Sequence, residues 1–374
     1  MSALISTFSL GGDGPTIAIK DTVDIAGMPT TGASRALADA APAQRHAQVV
    51  QLLLDAGWNI VGKANMHELA FGMTGINDYT GTPVNPQDAT RIPGGSSSGS
   101  AAAVGLGLAH AALGTDTGGS IRGPAACCAV VGLKPTFGLV SRRGVAPAES
   151  TLDCVGPFAR DMRMIVETMS VIAPRFDRNA ALKKVTKCSV GVAAVDAQAD
   201  LLAAVARAPQ RAGFTSRPIE LAGLADAFQA GLAIINAETW AAFGQLVESG
   251  KLGADLETRL RAASATTPEQ VGAAERVRRS FTDAVDRALD NVDVIVMPTL
   301  PALPITLDDA RRGVSVIAMS SLIRPFNLSG HPALSLPLPI DGSPLKAGLQ
   351  IVGRHGADEQ VCAVAAAFEA ALAH

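Results

Sequence analysis

A chain of 374 residues, 48% hydrophobic and 17% charged, can bury a large core, which excludes a disordered protein. Its 31 basic and 34 acidic residues leave a formal net charge of -3 and no lysine- or arginine-rich block, so no global field draws nucleic acid or an anionic membrane. The 5 cysteines form no C-x-x-C pair, which argues against a disulfide framework or a zinc knuckle. They are read as reduced thiols of a cytoplasmic protein. The first 15 residues show no secretory pattern, and no run reaches the length needed to span a bilayer.

In chain order, residues 16–19 form a short apolar strand that ends at Lys20-Asp21. Residues 47–56 repeat apolar positions with helical period, 59–61 read as strand, and 66–71 as the start of a helix. The small-apolar stretch 100–113 is expected to be an interior helix. Residues from about 175 to 290 are Ala-rich with charges at helical spacing. Within them Thr267 caps a helix that has Pro268 at its first position and an apolar stripe of Val277, Phe281, Val285 and Leu289. Residues 292–297 (VDVIVM) read as a buried strand stopping at Pro298, and 358–372 as a final helix. Strands alternating with helices predict an α/β fold covered by helices on both faces.

Several short motifs fail on context. Gly57 to Lys63 fits G-x-x-x-x-G-K, but Ala64 follows where a hydroxyl is needed, and the segment reads as strand. Asp116-Thr117-Gly118 has no second copy to share a proton with. Gly95 to Gly99 fits G-x-S-x-G, yet loop rather than strand precedes it, and no histidine beyond His331 sits in a loop suited to a triad. What remains is a pair of Gly/Ser loops, GGSSSGS from Gly94 and GTDTGGSIR from Gly114, bracketing an Ala-rich segment. Such loops let backbone N–H groups converge on an anion, a developing oxyanion included.

The run GGSSSGSAAAVG, followed by GTDTGGSIRGPAACCAVVGLKPT, resembles the signature of the amidase signature family. The blocks TIAIKD from Thr16, GKANMHELA from Gly62, PFNLSGHPA from Pro325 and Gly348-Leu349-Gln350 resemble further parts of it. The resemblance implies one large amidase domain over residues 1–374, with a mixed sheet core at about 15–165 and 292–355 and a variable helical region at about 175–290. It implies a triad of Lys20, Ser96 and Ser120, no cofactor and no metal, and a cis peptide at Gly95–Ser96. Thr117, Gly118, Gly119 and Ser120 would supply the oxyanion hole, and Ser97 would orient Lys20 or cap the following helix. Ala70, Phe71 and Gly72 are expected to line the substrate pocket. Lys63 competes for the base role and is read as a supporting cation. Asp116 and Arg122 are read as a buried brace, and Cys127 and Cys128 as core.

Residue chemistry agrees. A serine needs a base, and a lysine serves only when neutral, which burial favours. The expected activity is hydrolysis of a small-molecule carboxamide to carboxylate and ammonia or amine. The glutaminase subunit of a tRNA-dependent amidotransferase and a catalytically inactive binding protein are the alternatives. Family members usually carry N-terminal helices before the lysine strand. Their absence and the short chain are read against the amidotransferase, and as leaving an apolar face for a homodimer or a more open pocket.

Overall fold

The computed structural model describes residues 2–373. Among them a single sheet contains β1 (Leu4–Gly11), β2 (Thr16–Lys20), β3 (Asn59–Ala64), β4 (Ala111–Asp116), β5 (Val131–Lys134), β6 (Cys154–Ala159), β7 (Ser189–Ala193), β8 (Thr215–Ile219), β9 (Val294–Pro298), β10 (Ala333–Pro339) and β11 (Lys346–Val352). Their order is β1-β3-β2-β4-β6-β5-β10-β11-β9-β7-β8. β2 runs parallel to β3 and β4, and β7 parallel to β8 and β9, while the other pairings are antiparallel.

The helices are α1 (Gln48–Asp55), α2 (Ser98–Gly105), α3 (Arg122–Cys128), α4 (Met162–Ile172), α5 (Arg178–Ala181), α6 (Ala199–Arg211), α7 (Leu224–Phe243), α8 (Ala254–Ala263), α9 (Pro268–Leu289), α10 (Leu307–Arg311), α11 (Arg324–Leu328) and α12 (Asp358–Leu372). Strand alternation divides them between the faces. Ile17, Ile19 and Leu113 pack with Leu53 of α1, Met169 of α4 and Phe368 of α12. Ala18 and Ala112 face Ala101–Ala103 of α2 on the other side. Further along, Ile295 and Met297 meet Ile234 of α7 and Phe281 of α9. Lys20 has the parity of Ala18 and so leaves β2 on the α2 side. The architecture is therefore the expected α/β fold, a mixed sheet with helices on both faces. No described helix is long and apolar enough to cross a membrane.

α9 begins as expected: Thr267 and Gln270 close a capping box that spans Pro268, and Phe281, Val285 and Leu289 are buried. The interior helix expected over 100–113 is in fact α2, a turn at Gly107 (φ 73) and then β4. A small apolar run fits a buried helix and a buried strand equally well, and β4 is hydrogen-bonded on both sides, by β2 and β6. The helix expected at 66–71 is a single 3-10 turn, Glu68–Ala70, with Leu69 and Ala70 at positive φ. The region 175–290 is not wholly helical, since β7 and β8 extend the sheet from within it. β8 (TSRPI) is an edge strand, exposed and proline-bearing, and so lacks the apolar run that marks a strand.

Candidate active site

The site is assembled where β2 and β4 end beside α2. Lys20 closes β2 and is fully buried. Its Nζ lies 2.7 Å from Ser96 Oγ and 2.8 Å from Thr115 Oγ1. Burial lowers its pKa to about 7, although Asp153 and Asp116 pull the other way. An amine in that range is partly neutral at physiological pH, able to accept from Ser96 while donating to Thr115. Lys63 is also buried, but its Nζ sits 3.1 Å from Asp21 Oδ1 and donates to Val23 O at 2.7 Å. Lys63 is thus a paired cation, and among the described residues Lys20 touches no carboxylate.

Ser96 follows a cis Gly95–Ser96 peptide. Gly95 is required by close approach, because a Cβ there would lie 2.9 Å from Gly72 O and from Gly75 N. His67 N donates to Ser96 O at 2.9 Å, tying the 66–72 segment to the turn. Ala70, Phe71 and Gly72 are half-buried beside it. His67 itself is buried with a pKa lowered to about 4, by burial first and by Arg259 next.

Ser97 departs from both expectations. Its hydroxyl donates to Thr115 O at 3.2 Å and accepts from Thr115 N at 3.4 Å. It neither reaches Lys20 nor caps α2. The hydroxyl that orients Lys20 belongs to Thr115, which sequence reasoning misses because a threonine in a strand carries no signal of its own.

The second loop is built on Asp116 at the end of β4. Its carboxylate accepts from the N–H groups of Gly119 (2.8 Å), Ile121 (3.1 Å) and Arg122 (3.3 Å). It also accepts from Arg122 Nε (3.0 Å), Arg122 Nη2 (2.9 Å) and Asn327 Nδ2 (2.8 Å). Arg122 in turn donates to Ile323 O, Gln350 Oε1 and Asn327 Oδ1. Burial pushes the Asp116 carboxyl up, but the Arg122 charge and the hydrogen bonds outweigh it and hold the group well below the usual carboxylate range. Both side chains of the pair are fully buried. The brace read from sequence is present, and it corrects one expected oxyanion donor: the Gly119 N–H is taken by Asp116. Thr117, Gly118 and Ser120 remain as backbone donors on the loop. Gly119 (φ 114) is required by space, since a Cβ would fall 2.1 Å from Ile323 Cδ1.

Ser120 is 6% exposed, and its carbonyl accepts from Ser97 N at 3.3 Å. That bond joins the two serine loops, while no hydrogen bond among the described residues links the Ser120 hydroxyl to Ser96. Cys127 and Cys128 are buried, burial pushing the Cys127 thiol up to about 12, so neither offers a thiolate. His331 is buried, held by Ser329 and Asp286 at 3.0 Å each, with no bond to Lys20, Ser96 or Ser120. Two surface cavities, of about 660 and 380 Å³, are lined by other residues, Arg91 and Pro304 in one, Phe137 and His355 in the other.

Removing the Asp116 carboxylate strands a buried guanidinium and three N–H groups. Asp116→Ala is expected to lower the unfolding free energy by roughly 3–5 kcal/mol, read from denaturant midpoints. Because the folded pKa is depressed, this contribution is present above the ordinary carboxylate range and fades only in strong acid.

An α/β sheet with a buried lysine against a serine, between two Gly/Ser loops, is the frame of a hydrolase. The chain belongs to the amidase family, whose model matches residues 13–222 and 227–362. It is 35% identical to a glutamyl-tRNA(Gln) amidotransferase subunit of Methanospirillum hungatei, over 96% of this chain and 94% of that protein. It superposes on the structure of the like-named subunit from Thermotoga maritima with a TM-score of 0.84 and 30% identity, covering 98% of this chain and 87% of that one. A solved amidase gives a TM-score of 0.87 at 30% identity, over 96% and 84%.

Proposed function

We propose that the chain cleaves the C–N bond of a carboxamide through an acyl intermediate on Ser120, with Ser96 and Lys20 moving the proton. The observation that carries this reading is the 2.7 Å contact of Lys20 Nζ with Ser96 Oγ, both fully buried. Neutral Lys20 accepts the Ser96 proton and Ser96 that of Ser120, once substrate draws the two hydroxyls together, since such contacts often tighten only in the reacting complex. Ser120 attacks the carbonyl. Backbone N–H groups of Thr117, Gly118 and Ser120 receive the oxyanion. The proton returns to the leaving nitrogen, and water resolves the ester by the reverse route.

The setting best supported is the glutaminase subunit of a tRNA-dependent amidotransferase, working beside partner chains. The kinship to glutamyl-tRNA(Gln) amidotransferase subunits supports it, and coverage of 94% of one of them outweighs chain length as a contrary argument. A stand-alone amidase is the second reading, favoured by the equally similar solved amidase. The test is ammonia release from L-glutamine and from simple amides, by the chain alone and with companion amidotransferase chains and glutamyl-tRNA. Stimulation of glutamine hydrolysis by the companions supports the first reading. Full activity on simple amides with no response to them supports the second. No turnover, with no fluorophosphonate label on Ser120, leaves a binding protein.

A further inference from the structure

Arg324 opens α11 and is 7% exposed. Its Nη2 donates to Ser320 Oγ at 2.7 Å, Nη1 reaches Phe228 O at 3.4 Å, and the guanidinium lies 4.4 Å over the Phe228 ring. Among the described residues Nε is buried without a partner, and no carboxylate lies within ion-pair distance. Burial alone lowers its pKa to about 10, with no anion to offset it. The contrast with Arg122 is direct, for that buried guanidinium meets a carboxylate and two further side-chain oxygens. A buried cation with free donor capacity is costly to keep and is normally matched by an anion.

Its position says where the anion comes from. A Cβ on Gly118 would lie 3.5 Å from Arg324 Nε and 2.8 Å from Ile235 Cδ1. Gly231 of α7 makes room for the arginine stem, since a Cβ there would lie 2.9 Å from Cγ. Arg324 therefore stands directly against the loop that ends in Ser120, with Ile323 packed on Gly119 beside it.

We propose that Arg324 binds a carboxylate of the substrate, so that the chain acts on primary carboxamides that also carry a carboxylate a short way along the molecule. This rests on the amide-cleaving reading of Ser120. Monoamides of dicarboxylic acids and glutamine share the required chemistry. A guanidinium suits it because its planar fork matches carboxylate geometry and it stays charged when buried.

The experiment compares kcat/KM for succinamate, L-glutamine and butyramide, in which a methyl replaces the succinamate carboxylate, on wild type, Arg324→Met and Arg324→Lys. Wild type is expected to prefer an acid over butyramide. Arg324→Met should lower kcat/KM for that acid on the order of 10²- to 10³-fold while leaving butyramide within about threefold. Arg324→Lys should recover part of the loss. Preference for succinamate over glutamine, or the reverse, identifies the source of the carboxylate. Equal handling of butyramide and the acids by wild type, or equal loss on all three in Arg324→Met, overturns the proposal. Should the variant not fold, succinate is tested for slowing fluorophosphonate labelling of Ser120 in wild type. Labelling that succinate does not slow overturns the arginine assignment, and no labelling at all overturns the amidase reading instead.

Discussion

Ser120→Ala is expected to lower kcat for amide hydrolysis on the order of 10⁴- to 10⁶-fold, with KM little changed and the fluorophosphonate adduct lost. The hydroxyl it removes is the group proposed to bond to substrate, whereas the loop around it is held by backbone and by Asp116. The Gly119, Ile121 and Arg122 N–H groups stay anchored to that carboxylate in the variant, so the fold and the donor array persist. Ser98→Ala is the matching control. Among the described residues Ser98 Oγ is buried with no partner, so its loss removes an unsatisfied group and should leave both stability and kcat near wild type. Single-turnover measurement with mass analysis of the adduct separates the two variants. Wild-type turnover by Ser120→Ala would refute the nucleophile assignment.

What is legible in the sequence follows from how local each signal is. Lys20 stands out because an apolar strand delivers it and a recognisable block surrounds it, and the Gly/Ser loops because glycine and serine clustered at that density mark backbone brought close to something. The Asp116–Arg122 brace lies six residues apart and is readable from the family pattern. Partners contributed from distant strands and helices are not readable. Thr115 becomes the second neighbour of Lys20 only once β2 and β4 pair, with Ile19 opposite Leu113. Asn327 and Gln350 join Arg122 across more than two hundred residues. Arg324 sits one residue before the PFNLSGHPA block, and in a bare sequence an arginine is a solvated charge. Only its burial and its lack of an anion give it meaning. The same logic explains the misread of 100–113, where composition fixes that a segment is interior but leaves its hydrogen-bonding partners open.

Lys20→Met is expected to reduce kcat/KM by about 10²- to 10⁴-fold at neutral pH, the usual worth of a positioned proton acceptor, with partial recovery at high pH. In wild type the acid limb should bend at about 7 and fall tenfold per unit below it, because only the neutral amine accepts the Ser96 proton and burial sets that pKa. Asp153 raises it, so Asp153→Asn should move the limb to lower pH. Stability distinguishes this from a structural defect. Methionine fills the lysine's space without a charge to desolvate, so the melting temperature should hold or rise. Lys63→Met should behave in the opposite way. It leaves Asp21 buried without its 3.1 Å partner, so it should lower the melting temperature first. A dead Lys63→Met that melts normally, together with an active Lys20→Met, would transfer the base role to Lys63. The two lysines share type and burial, and a carboxylate within reach decides which of them is free to be neutral.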